Sequence, residues 1–184
     1  MKMEYKYELK VPKERIAVLI GRKGKIKNRI EEETKTKINV DSKEGDIFIK
    51  GSDALNLFTA REVISAIGRG FNPEIAELLL KADYGLEIID ITEFTGKNKS
   101  TMLRLKGRVI GKEGKSRRTI EELTECYISV YGKTIAIIGK SEDLVNTRRA
   151  VESLLQGSPH SNVYRWLEKR RREAKRREML EGVK

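Results

Sequence analysis

Two short stretches of this 184-residue chain set glycines three apart among cations. Gly21-Arg22-Lys23-Gly24 is followed by Lys25 and Lys27, and Gly111-Lys112-Glu113-Gly114 by Lys115, Arg117 and Arg118. Glycine permits a tight turn and removes side chains from the path of a ligand. A helix that starts directly after the second glycine adds free N–H groups and the positive end of its dipole. With lysine and arginine around them, these groups suit a chain of phosphates passing close to the backbone. Catalytic chemistry has poorer material. A single histidine, His160, and a single cysteine, Cys126, rule out a His/Cys metal cluster and argue against a His-based triad. The carboxylates sit mostly beside lysine or arginine, with no pairing that suggests metal-assisted hydrolysis. The run Gly111 to Ser116 reads GKEGKS, but a nucleotide-binding P-loop needs a glycine five residues before Gly114, and that position is Val109.

The two stretches are parts of one long internal repeat. At an offset of ninety, Gly21 and Gly24 align with Gly111 and Gly114, Ile30 with Ile120, Glu31 with Glu121, Thr34 with Thr124, and Ile38 with Ile128. After a two-residue deletion, Ile47 aligns with Ile135, Gly51 with Gly139 and Val63 with Val151. Two copies of this length mean tandem domains rather than a solenoid. In the first copy, alternation over residues 4–11 predicts a strand with Tyr5, Tyr7, Leu9 and Val11 on one face. Pro12 opens a short helix ending at Gly21, and a second helix follows Gly24. Two strands flank a turn at Lys43–Gly45, and a third helix starts after Asp53, its expected N-cap. The second copy predicts a strand over residues 86–94, a turn at Gly96-Lys97-Asn98 and the same succession, ending in a helix from about Ser141 to Leu155. The order is β-α-α-β-β-α twice.

These signals divide the chain into a first domain (1–71), a linking helix (72–83), a second domain (84–157) and a basic helical tail (158–184). The tail is rich in arginine, lysine and glutamate, and Tyr164 and Trp166 are expected to pin it. His160 reads as a loop residue and Cys126 as a small buried hydrophobe. Tyr5, Tyr7, Tyr84 and Tyr131 read as core residues rather than stacking platforms. Charged residues make up 36% of the chain and the formal net charge is +11, which points to a polyanionic partner. There is no apolar run of membrane-span length and the start lacks a signal-peptide core, so a cytoplasmic monomer without a cofactor is expected.

The stretches IGRKGKIKNRIEEETKTKI and IGKEGKSRRTIEELTECYI resemble the core signature of KH domains, and the element order resembles type I. That resemblance implies an α+β fold of two three-stranded sheets, each with helices on one face. It also implies that each Gly-x-x-Gly loop clamps about four nucleotides of single-stranded RNA. KH domains usually carry an aliphatic residue three after the second glycine. Lys27 and Arg117 stand there instead, so a more cationic groove is expected. The ending GSPHSNVYRWLEKRRREAK makes the chain similar to archaeal tandem-KH proteins related to eukaryotic small-ribosomal-subunit assembly factors. This narrower resemblance implies binding of small-subunit ribosomal RNA near its 3′ end, company with a PIN-domain endonuclease, and a dominant second loop. An RNA adaptor for a degradation or translation complex is the alternative, and a ribonuclease a more distant one.

Overall fold

A computed structural model describes residues 5–96 and 98–182. The chain forms two compact units, Met1–Leu86 and Glu87–Lys184. Unit one runs β1 (Tyr5–Lys10), α1 (Lys13–Ile20), α2 (Lys25–Thr34), β2 (Lys37–Asp41), β3 (Asp46–Gly51), α3 (Ala54–Gly68) and α4 (Pro73–Ala76). The later elements are β4 (Tyr84–Asp90), α5 (Thr92–Thr95), α6 (Lys99–Ile110), α7 (Lys115–Thr124), β5 (Tyr127–Tyr131), β6 (Thr134–Lys140), α8 (Ser141–Leu155) and α9 (His160–Glu181). The sheets have the orders β1-β3-β2 and β4-β6-β5, so in each the last strand is central. This is the α+β architecture that the family resemblance implies.

Register follows the apolar alternation. Tyr7 lies opposite Ile49 and Leu9 opposite Ile47, while Val40 lies opposite Ile47 from the other side. Ile47 and Ile49 are fully buried and intervening Phe48 is exposed, so one face of this sheet carries the core and the helices. Ile30 of α2 and Ala60, Val63, Ile64 and Ile67 of α3 complete the core. Strand β6 departs from alternation: Ile135, Ala136, Ile137 and Ile138 are all fully buried. Asp53 caps α3 as expected, accepting from the Asn56 amide at 2.8 Å. Asp41 closes the β2–β3 turn by accepting from the Lys43 and Glu44 amides.

Several expectations need correction. Strand β4 stops at Asp90 rather than continuing to residue 94. The Asp90 carboxylate accepts from both the amide and the hydroxyl of Thr92, at 2.8 and 2.6 Å, which turns the chain into α5. The linking helix is a single turn, Pro73–Ala76, followed by a 3-10 turn over Glu77–Leu80 that packs on α3. Of the tyrosines assigned to the core, Tyr5 at the edge is 38% exposed, and Tyr7, Tyr84 and Tyr131 are half-buried. Lys97, in the expected turn before α6, lies outside the described residues. Cys126 is buried as expected, and desolvation pushes its thiol up from the usual range.

The tail is a helix, but its main anchors are Val163 and Leu167, which are buried. Tyr164 and Trp166 pack beside them, only partly covered. The Trp166 ring lies under the guanidinium groups of Arg149 and Arg170, at 5.2 and 5.7 Å. His160 is not a loop residue. It begins α9, and its Nε2–H donates to the carbonyl of Arg108 at 2.8 Å.

Candidate nucleic-acid interface

The two Gly-x-x-Gly loops adopt one backbone. Gly21 and Gly111 have φ/ψ of 71/175 and 74/173, and Gly24 and Gly114 have 76/8 and 76/12. Between them Lys23 and Glu113 are left-handed, with φ of 54 and 53. The turn is closed by the amide of the second glycine donating to the carbonyl of the first, at 3.1 and 3.2 Å. Within a pair the glycines do different work. A Cβ on Gly21 would lie 2.4 Å from Cγ1 of Ile26, and one on Gly111 would lie 2.6 Å from the backbone N of Ser116. The first glycine therefore lets the turn close on the helix behind it. A Cβ on Gly24 would make only ordinary contacts with Asn28, and one on Gly114 would meet nothing within 4 Å. The second glycine keeps a positive φ, and at Gly114 its missing Cβ leaves open space in front of the helix start. Neither α2 nor α7 has a side-chain N-cap; the first amide of each donates within the turn, Lys25 N to the Arg22 carbonyl and Lys115 N to the Lys112 carbonyl, and an anion at the helix start would meet the positive end of the dipole.

The expected site residues gather within each unit. At the first loop Arg22, Lys23 and Lys25 are exposed and line an open basin with Asn28, Arg29 and Glu32. Arg29 also pairs with Glu77 at 3.1 Å. At the second loop Lys112, Glu113, Lys115 and Arg118 are exposed. The Arg118 guanidinium donates to the Glu113 carbonyl at 2.7 Å, which holds the turn and keeps a cation beside the acidic residue. Its counterpart in the first copy is Asn28, which has no such charge.

Lys27 and Arg117 stand differently from the other cations. Each is half-buried and faces the carboxylate four residues on: Lys27 Nζ to Glu31 at 3.1 Å, and Arg117 Nε to Glu121 at 3.7 Å. Those glutamates also accept backbone amides at the start of the next strand, Ile38 N at 2.6 Å and Ile128 N at 2.8 Å. The cations therefore support an α-to-β joint, and their charge is partly neutralised. We expect Glu121→Ala to cost about 2 kcal/mol, the usual worth of a hydrogen bond to a charged group, and Glu121→Gln, which keeps an acceptor, to cost clearly less. Urea unfolding of both variants measures the difference.

Two arginines that the repeat alignment did not single out clamp the helices leading into the loops. Arg15 donates to the carbonyls of Ile67 and Phe71 at 2.8 and 2.6 Å, and Arg108 to those of Leu154 and Ser158 at 3.0 and 2.6 Å. Arg15 ties off the end of α3 and Arg108 the end of α8. They escaped the alignment because Arg15 lies six residues before Gly21 and Arg108 only three before Gly111. Successive turns of a helix point the same way, so either position serves.

Among the described residues, no group of three or more His, Cys, Asp or Glu side chains could hold a metal ion, and no helix is long and apolar enough to cross a membrane. Comparison with known proteins agrees with the geometry. The KH-domain model matches residues 6–66, and the model for the eukaryotic type KH-domain (KH-domain type I) matches residues 85–172. The chain belongs to the KH-domain family.

Among KH proteins, a KH domain-containing protein of Methanocaldococcus jannaschii is 49% identical over 172 residues, 91% of this chain and 75% of that one. The RNA-binding protein PNO1 of Oryzias latipes is 34% identical over 113 residues, 61% of this chain but only 46% of PNO1. A crystal structure of a protein of unknown function from Aeropyrum pernix has a TM-score of 0.92 at 40% identity, covering 98% of both chains. Dim2p from Pyrococcus horikoshii OT3, solved in an a/eIF2alpha–aDim2p–rRNA complex, has a TM-score of 0.86 at 44% identity over 92% of this chain and 96% of that one. The KH assignment rests on both units, and the relationship to PNO1 and Dim2p agrees with the narrower resemblance seen in the sequence.

Proposed function

We propose that this KH protein is a non-catalytic factor that holds single-stranded RNA by its sugar-phosphate backbone. Its RNA is small-subunit ribosomal RNA near the 3′ end, bound during ribosome assembly. The observation that carries the reading is the shared loop geometry: a helix start without a side-chain cap behind a left-handed glycine, ringed by cations, in both units. Phosphates lie at Gly21, Arg22, Lys23, Gly24 and Lys25 in the first unit, and at Gly111, Lys112, Gly114, Lys115 and Arg118 in the second. Lys27 and Arg117 contribute less, because each already faces a carboxylate. The choice of RNA is supported by the relatives, one named as RNA-binding and another solved with rRNA.

Assembly places such a factor beside other maturation proteins, including a PIN-domain endonuclease that trims the same end. The presence of a/eIF2alpha in the complex of the Pyrococcus relative favours a second reading, an adaptor between RNA and a translation component. Co-sedimentation separates the two: enrichment on small-subunit precursors supports assembly, and enrichment on mature initiating subunits supports the adaptor. Incubating labelled RNA with the protein and a divalent metal tests the non-catalytic claim, since cleavage would overturn it.

Backbone clamping has a quantitative signature. Log affinity for unstructured RNA should fall linearly with log salt, with a slope near −0.7 per phosphate contacted. A salt-independent affinity would refute the phosphate clamp.

A further inference from the structure

Of the eight cations of α9, two on the side toward the body of unit two are engaged: Arg170 pairs with Glu173 at 3.3 Å and lies over Trp166, and Arg177 pairs with Glu142 at 2.5 Å, while Arg171 and Lys175 line the groove that α9 forms with α7 and α8. Arg165, Lys169, Arg172 and Arg176 are spaced four, three and four residues apart, which aligns them on one stripe of the helix. Val163 and Leu167 face the core, so this stripe is on the opposite, solvent side. All four are exposed, and none takes part in an ion pair among the described residues; Arg172 bonds only the carbonyl of Glu168, at 3.4 Å. At 1.5 Å rise per residue, the eleven steps from Arg165 to Arg176 span about 16 Å, with a cation roughly every 5–6 Å.

We propose that this stripe is a second RNA-backbone site, which takes the phosphates of the strand that leaves the second Gly-x-x-Gly loop. Two observations give it that occupant. Its charge is uncompensated and regularly spaced, as a phosphate chain requires. It also stands on the helix that starts beside the loop: α9 packs along α7, the helix that the loop starts, and His160 is bonded to Arg108, three residues before Gly111. The stripe opens five residues beyond His160. RNA held at the loop thus has a track of free cations to follow, and unit two binds a longer segment than the about four nucleotides of one KH loop. This extends the RNA-binding reading above and depends on it.

The test compares two double variants of the full chain with the same change in net charge. Arg172→Gln/Arg176→Gln removes half the stripe, and Arg170→Gln/Arg177→Gln removes two body-facing cations. Binding is measured against salt with unstructured RNAs of about four and about twenty nucleotides, and circular dichroism checks that α9 is retained. With the longer RNA the stripe variant should lose about 1.4 from the magnitude of the salt slope, two contacts at ~0.7 each, while the body-facing variant keeps the parent slope. With the shorter RNA neither variant should differ from the parent. Equal slope losses in both variants would mean diffuse attraction and overturn the track. An unchanged slope in the stripe variant would also overturn it and leave the stripe as a solvated or protein-facing surface. If the parent bound neither RNA, the loop reading itself would fail, which is a different outcome from loss of the track alone.

Discussion

Replacing Lys112 and Glu113 by aspartates should weaken RNA binding by at least about tenfold, which is about 1.4 kcal/mol. The same change at Arg22 and Lys23 should weaken it less. Both variants keep the glycines, so the turn, the helix start and the fold should survive. Two carboxylates would then sit where phosphate is expected to pass. The comparison is severe, because the second-loop variant changes net charge by −2 and the first-loop variant by −4. Bulk electrostatics alone would therefore rank them the other way. Local arrangement favours the second loop. Arg118 is anchored on the Glu113 carbonyl and keeps a cation at the turn, where the first copy has the neutral Asn28. If the first-loop variant loses more, the basin of Arg22, Lys23, Lys25 and Arg29 is the primary clamp. If neither folded variant loses affinity, the loops are not the RNA site.

The second large effect is on stability and separates the glycines of one loop. Gly111 has φ/ψ of 74/173, a region essentially restricted to glycine, and a Cβ there would approach the Ser116 amide nitrogen to 2.6 Å. We expect Gly111→Ala to cost about 3 kcal/mol, enough to lower the melting temperature of unit two by more than about 10 °C. Gly114 has φ/ψ of 76/12, a left-handed conformation that asparagine also visits, and nothing lies near its missing Cβ. Gly114→Asn should cost about 1 kcal/mol or less, yet it places a side chain in the open space before the helix. It should therefore reduce RNA affinity more than stability, while Gly111→Ala should do the reverse. Equal melting temperatures for the two variants would refute this division of labour. Calorimetry with parallel RNA titrations measures both quantities.

Much of this molecule was open to local reasoning. A repeat of two glycines, two apolar periods and a following strand specifies units, element order and the loop, because those features depend on backbone preference and on which face is apolar. The Asp53 cap and the β2–β3 turn are equally local, decided by carboxylates reaching amides two or three residues away. The apolar pattern misled where a polar contact decided the outcome. The chain 86–94 is apolar enough for a long strand, but Asp90 and Thr92, two residues apart, close a turn at its end. Lys27 and Arg117 look like groove cations until Glu31 and Glu121 are seen to face them while holding the next strand. Arg15 and Arg108 occupy different places in the repeat and reach carbonyls some fifty residues away, so sequence spacing carried no trace of their shared task. In the tail, composition reported an arginine-rich helix, but every cation in it looked alike. Packing of Val163 and Leu167 set them apart, because burying that face brings Arg177 to Glu142 of α8 and turns Arg165, Lys169, Arg172 and Arg176 to the opposite side, toward water or a phosphate chain.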